Sequence, residues 1–169
     1  MTNWKTLALA AALGLSAMAA TAGQTQPAKD EQGFSVYRSE PVKAGKLLER
    51  AVEYMHDNSA ARAFAAFNNQ AGQFHDNDLY VFVVGINDGI MHAYGGAPEA
   101  IVGENVLDLK DASGKPIVQA MLETVKRDEQ GSVDYVWLNR VTNKVEPKTT
   151  VLRRVGDYMV GVGYYTLGR

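Results

Sequence analysis

Asp78 to Tyr94 reads DLYVFVVGINDGIMHAY, and the conformation of this stretch decides how the remaining segments can assemble. Two apolar runs, Leu79–Gly85 and Ile90–Tyr94, flank Asn87-Asp88-Gly89, the turn chemistry of a β-hairpin. In the first run Leu79, Val81 and Val83 alternate with Tyr80, Phe82 and Val84. A strand period of two sends these sets to opposite faces of a sheet. Both sets are apolar, so both faces are expected to be covered. One is aromatic, and the return strand carries His92. Aromatic walls with a few polar groups suit a small-molecule pocket and an ordinary core equally well.

Upstream, Ser39-Glu40-Pro41 is a helix-start signal. Ala44, Leu47, Leu48, Ala51, Val52 and Met55 then recur at three- and four-residue steps, one stripe of an amphipathic helix. A second, alanine-rich helix is expected from Ser59 to Asn69, with Ala60, Phe64 and Phe67 in its stripe and Gly72 after it. Downstream, Gly95-Gly96-Ala97-Pro98 is a loop that opens an excursion. Lys115-Pro116 starts a helix to about Glu129, with Gly131 as its stop. Three strands follow, around Val133–Trp137, Pro147–Val155 and Tyr158–Thr166, the polar Asn139–Glu146 reversing the chain. Strands with short links favour an antiparallel meander, and helices gathered before and within it define an α+β domain.

At the N-terminus Lys5 precedes the uncharged apolar run Leu7–Ala20, and Ala17-Met18-Ala19 and Ala20-Thr21-Ala22 are cleavage triplets. Residues 1–22 therefore read as a secretory signal peptide, too short to span a bilayer, with 23–38 a loose lead-in and 39–169 one domain. The expected location is a bacterial periplasm, with no membrane span left after cleavage. A net charge of −2 without basic clusters argues against nucleic acid. The absence of cysteine excludes disulfides, thiolate nucleophiles, cysteine-ligated zinc, iron–sulfur clusters and c-type haem.

The chemistry-bearing residues are few. His75 stands in the polar His75-Asp76-Asn77-Asp78, which suits a solvated turn, and His56 at a helix end suits the dipole. His92, inside an apolar strand, needs partners for both ring nitrogens, from the core or from a ligand. Lys148 starts a strand, where it is either solvated or a point charge for a carboxylate. Tyr135 and Trp137 share a strand face as core or ligand wall. Nucleophile-elbow, phosphate-loop and paired-carboxylate patterns are lacking, so neither catalysis nor a cofactor is expected. Two rival readings are an exported metal-dependent enzyme centred on His92 and His75, and an interaction module without ligand.

Seven pieces in order resemble the single Cache domain, type 2, an extracytoplasmic ligand-sensing family of chemoreceptors and sensor kinases. They are Ala61–Asn68 with Gly72-Gln73-Phe74, Asp78–Val83, Asp88-Gly89-Ile90-Met91-His92, Val102-Gly103-Glu104-Asn105, Asp111-Ala112-Ser113-Gly114-Lys115, Val133–Trp137 with Lys148, and Gly163-Tyr164-Tyr165. Arg140-Val141 stands where the family often carries proline. The resemblance implies a PAS-like antiparallel sheet of five to six strands with a long N-terminal helix across one face. It also implies a pocket on the other face, under the excursion. It places Tyr80, His92, Trp137, Lys148 and Tyr165 at that pocket, with acetate, propionate or pyruvate as the type of ligand. Phe82, on the aromatic face of its strand, and Tyr135, on the face of Trp137, are counted with them as ligand-binding residues. No transmembrane stretch or transmitter is expected after Arg169. The expectation is a free-standing exported member that presents a small organic acid to a membrane-bound receptor or kinase, and that can form a homodimer through the N-terminal helix.

Overall fold

The computed structural model describes residues 40–166; the leader, the lead-in and Ser39 lie outside the described residues. Helix α1 spans Pro41–Asp57, with proline in its first turn and Glu40 at the cap position. Glu40 makes no side-chain capping bond, so the start rests on the proline, whose missing N–H is not needed there. Ala44, Leu47, Leu48 and Ala51 are buried, the spacing that keeps one helix face on a sheet. Helix α2 spans Ala60–Asn68, and its Ser59 cap accepts a bond from Arg62 N at 3.4 Å. Ala63 and Phe67, rather than Ala60 and Phe64, are its buried residues.

Six strands follow: β1 (His75–Asp76), β2 (Leu79–Gly85), β3 (Met91–Tyr94), β4 (Gln130–Asn139), β5 (Lys144–Val155) and β6 (Tyr158–Tyr165). Helices α3 (Pro98–Ile101) and α4 (Ile117–Asp128) lie between β3 and β4. The sheet runs β1-β2-β6-β5-β4, and β3 also pairs with β2. Every pairing is antiparallel. The protein is an α+β domain built on a six-stranded antiparallel sheet, with the N-terminal helix packed across one face.

β2 divides the domain as its alternation requires. Leu79, Val81 and Val83 join Val160 and Val162 under α1 and α2. Tyr80, Phe82 and Val84 join α4 and the excursion on the other face. The turn closes through Gly85 N to Ile90 O at 2.9 Å and Gly89 N to Gly85 O at 3.0 Å, with Gly89 at φ 68°, a backbone suited to glycine.

Three boundaries differ from the sequence reading. His75-Asp76 is a short strand paired with Tyr80 and Leu79, not a solvated turn. Helix α4 ends at Glu129, in the left-handed region at φ 60°, while Gly131 already lies in β4. Strand β5 begins at Lys144, three residues earlier than Pro147, because Leu138 and Asn139 pair with Val145 and Lys144.

The excursion is tied down by one carboxylate. Asp111 Oδ1 accepts from Ser113 N, Ser113 Oγ and Lys115 N at 2.9, 2.6 and 2.9 Å, and Oδ2 accepts from Val136 N at 3.1 Å. Lys115 Nζ donates to Asp134 O, so two backbone groups on the outer edge of β4 are occupied and that edge is blunted. These donors, Ser113 first, hold the Asp111 carboxyl at about 2. A folded-state value below the usual 3.8 gives stability that is complete above about pH 4 and lost as pH falls toward 2. In Asp111→Ala the midpoint of thermal unfolding is expected to fall, together with much of the acid sensitivity in that window. Faster amide exchange at Val136 is the local readout.

Candidate functional site

The site forms where three strands align one row of side chains. Tyr135 on β4 lies opposite Lys148 on β5, and Lys148 lies opposite Tyr165 on β6. Lys148 leans across β6, where Gly163 has no side chain. A Cβ there would stand 2.2 Å from Lys148 Cε and 2.7 Å from Thr150 Oγ1. Over this gap the lysine reaches β2. Its Nζ donates to Tyr80 Oη at 2.8 Å and Tyr165 Oη at 3.3 Å, and lies 4.2 and 4.4 Å from the two ring centroids. Two ring faces and two hydroxyl oxygens thus receive a cation that is only 2% exposed.

Burial pushes the Lys148 ammonium down to about 7, against the pull of Asp78, which raises it. Burial likewise raises Tyr80, Tyr135 and Tyr165 above the ordinary tyrosine value, so all three remain neutral hydroxyls at physiological pH. The lysine is the group poised to change charge.

The hydroxyl hydrogens can be counted. Tyr165 spends its own on Leu138 O at 2.7 Å, and Tyr135 bonds Thr150 Oγ1 at 2.8 Å. Tyr94 Oη accepts from Trp137 Nε1 at 3.2 Å, and Tyr80 Oη accepts from Lys148. Tyr80 and Tyr94 share one contact at 3.2 Å, which uses one of their two hydrogens. The other can pass from Tyr80 to Tyr165 Oη, whose own hydrogen is spent on Leu138 O. Both Tyr80 and Tyr94 are 6% exposed, so this relay of hydroxyls is screened from water.

Beside these hydroxyls is an apolar slot of about 30 Å³. Tyr80, Phe82, Tyr94, Tyr135 and Trp137 wall it on the sheet side, and Ile117, Val118 and Met121 of α4 close it. Phe82 lies flat because Gly161 leaves room; a Cβ there would sit 2.3 Å from its ring. Gly96 makes similar space, its missing Cβ falling 2.9 Å from Tyr80 and 3.1 Å from Tyr94.

Six of the seven expected residues, Tyr80, Phe82, Tyr135, Trp137, Lys148 and Tyr165, meet on this face. His92 does not. The β2–β3 register shifts between Val83 and Val84, and the extra residue turns His92 toward the helices. It stacks on Phe64 at 5.1 Å, meets Tyr158 edge-on at 5.3 Å and lies 3.4 Å from Asp88 Oδ2. His75 stacks on Tyr80, on the opposite face from His92, so the two histidines cannot share a metal ion. Among the described residues no group of three or more His, Cys, Asp or Glu is placed to hold one. Tyr94 and Gly163 are the contributors that sequence reasoning did not single out. Tyr94 faces Phe82 across the hairpin, and counting through an unbulged strand would have put it on His92's face.

The profile of the family described as Single Cache domain 2 matches residues 43–166, and the chain belongs to that family. It is a Cache sensor domain. Solved structures agree in fold. A methyl-accepting chemotaxis protein from Vibrio parahaemolyticus is 19% identical with a TM-score of 0.61, covering 73% of this chain and 86% of that one. A periplasmic sensor domain of a chemotaxis protein is 24% identical with a TM-score of 0.57, covering 74% and 89%. A Cache chemosensory domain solved for the structural basis of its carboxylic acid recognition is 18% identical with a TM-score of 0.60, covering 74% and 92%. No curated protein matches the chain significantly. No helix among the described residues is long and apolar enough to cross a membrane.

Proposed function

We propose that this domain senses a small organic acid outside the cytoplasm, binding its carboxylate at the Tyr80–Lys148–Tyr165 cluster and its short carbon chain in the aromatic slot. The observation that carries this reading is the buried Lys148, whose ammonium rests on the hydroxyls of Tyr80 and Tyr165 and has no ion-pair partner among the described residues. A carboxylate accepts from that ammonium and neutralises it. The slot limits the tail to one or two carbons, in keeping with acetate, propionate or pyruvate. Tyr135 and Trp137 exclude water around it, and the role is binding rather than catalysis. The signal-peptide-like leader supports a periplasmic location. The fold shared with chemotaxis sensor domains supports a membrane-bound receptor or kinase as partner, with a homodimer through the outer face of α1 as one form of that assembly.

Isothermal titration of the purified protein with acetate, propionate and pyruvate tests the proposal. Without the leader, Trp137 is the remaining tryptophan, since the other is Trp4. Its Nε1–H bond to Tyr94 should change as the ligand seats, so a saturable fluorescence change is expected with the same affinity. If none of the acids binds, the reading fails.

The pH dependence has a defined sign. Lys148 titrates at about 7 in the empty site, and a bound carboxylate holds it charged. Binding above that pH therefore takes up a proton, and affinity should fall roughly tenfold for each unit above 7. The stability of the empty protein should move the other way. Between about 7 and 10.5 the unfolded chain binds the lysine proton and the folded one does not, so the Lys148 contribution rises with pH across that window. Titrations at pH 6, 7, 8 and 9 check the first statement, and denaturant melts at the same values check the second.

A further inference from the structure

Tyr80 and Tyr165 also wall a second cavity, of about 250 Å³, at the end of the sheet where β2 begins and β6 finishes. Its character is unlike that of the slot. Amides of Gln70, Asn77 and Asn139 line it, along with His75, Asp78 and Arg140. Asn139 is fully buried and is held by Glu146 Oε2 at 2.8 Å, which fixes this wall where the β4–β5 turn departs. The electrostatic pull of Asp78 acts on Lys148. Arg140 makes no hydrogen bond or ion pair among the described residues, and it stands where the resemblance leads one to expect a proline-containing turn.

We infer that this cleft is the second compartment of the ligand site and receives a second anionic group, so that the preferred ligand is a short dicarboxylate with one carboxylate at the Tyr80–Lys148–Tyr165 cluster and the other at Arg140. The inference rests on the organic-acid reading above. Three observations carry it. Tyr80 walls both cavities and Tyr165 walls the cleft, so two residues of the hydroxyl cluster stand at the cleft. The slot has no room for a longer chain, whereas the cleft does. Arg140 stands on the cleft wall without a partner among the described residues, and its planar fork matches a carboxylate.

Isothermal titration at pH 7 with propionate, succinate and monomethyl succinate separates the two readings. The monoester keeps the length of succinate and removes one charge. Succinate is expected to bind at least tenfold more tightly than the monoester. Arg140→Ala should erase that preference and leave propionate unchanged, while Arg140→Lys retains part of it. Arg140 is an exposed turn residue, so a matching melting temperature will confirm the fold of both variants. If propionate binds but succinate binds no better than its monoester, or if Arg140→Ala keeps the preference, the dicarboxylate inference is overturned and the organic-acid reading stands. If none of the three binds, both fall.

Discussion

Lys148→Met is expected to abolish carboxylate binding while the fold survives. Methionine keeps an unbranched apolar stem over Gly163 and between the rings of Tyr80 and Tyr165, and it removes the charge. Truncating one partner of a buried, hydrogen-bonded charge pair costs about 2–5 kcal/mol of affinity, a loss of roughly thirtyfold to several thousandfold. The folded protein should suffer little. Burial already disfavours the ammonium, as its fall to about 7 records, so replacing it by an apolar group of similar shape removes an unfavourable term. Tyr80 and Tyr165 would each lose one donor but keep bonds to Tyr94 and Leu138 O. The pH dependence of binding above 7 should vanish with the charge. Unchanged affinity in Lys148→Met, measured by titration with the melting temperature as a control, would remove the lysine from the site.

Gly163→Ala is expected to reach the same ligand from beneath. The added methyl would stand 2.2 Å from Lys148 Cε, inside any real contact distance, so the stem must lift. Lifting it takes the ammonium away from Tyr80, and affinity should drop about tenfold or more even though the alanine never touches the ligand. The stability cost of overpacking is about 1–3 kcal/mol, shared with Thr150 Oγ1 at 2.7 Å. The Lys148→Ala background distinguishes this mechanism from general damage to β6. With the stem gone, Gly163→Ala should cost less by about 0.5 kcal/mol or more, the coupling expected of residues in contact. Equal costs in the two backgrounds, from denaturant unfolding, would show that the glycine serves the strand and not the lysine.

Much of this arrangement could be read from residue order, for reasons that differ by level. The hairpin was legible because Leu79–Val84 alternates two complete apolar sets, and a period of two leaves no freedom over which residues share a face. The long helix was legible from its stripe. His92 was misplaced because a bulge adds one residue to the count, and nothing in Met91–Tyr94 announces where the pleat slips. The end of α4 near Glu129 was legible, but its stop was assigned to Gly131, because Glu129 takes up a backbone that glycine would adopt more cheaply. Tyr80, Trp137, Lys148 and Tyr165 were gathered by resemblance, and Phe82 and Tyr135 joined them through the strand faces they share with Tyr80 and Trp137. Lys148 and Tyr80 stand 68 positions apart, and only the strand order brings them within a hydrogen bond. Arg140 drew notice as a departure, but its place on the cleft wall required the shape of the β4–β5 turn.

On the pocket face β6 alternates Met159, Gly161, Gly163 and Tyr165, and its middle is bare backbone. Phe82 from β2 and Lys148 from β5 lie across it, so the strand at the centre of the site supplies a floor and its neighbours supply the contents. This separates two evolutionary pressures. Substitutions on β2, β4, β5 and the β4–β5 turn can exchange one ligand for another without disturbing the floor. Any side chain gained at Gly161 or Gly163 evicts what lies above it. A saturation library of the domain selected for folding alone, then for binding, should show β6 admitting nothing larger than alanine at these two positions in the first round, and glycine alone in the second. The neighbouring strands should diverge between the rounds, since there a new residue changes what is recognised and the domain still forms.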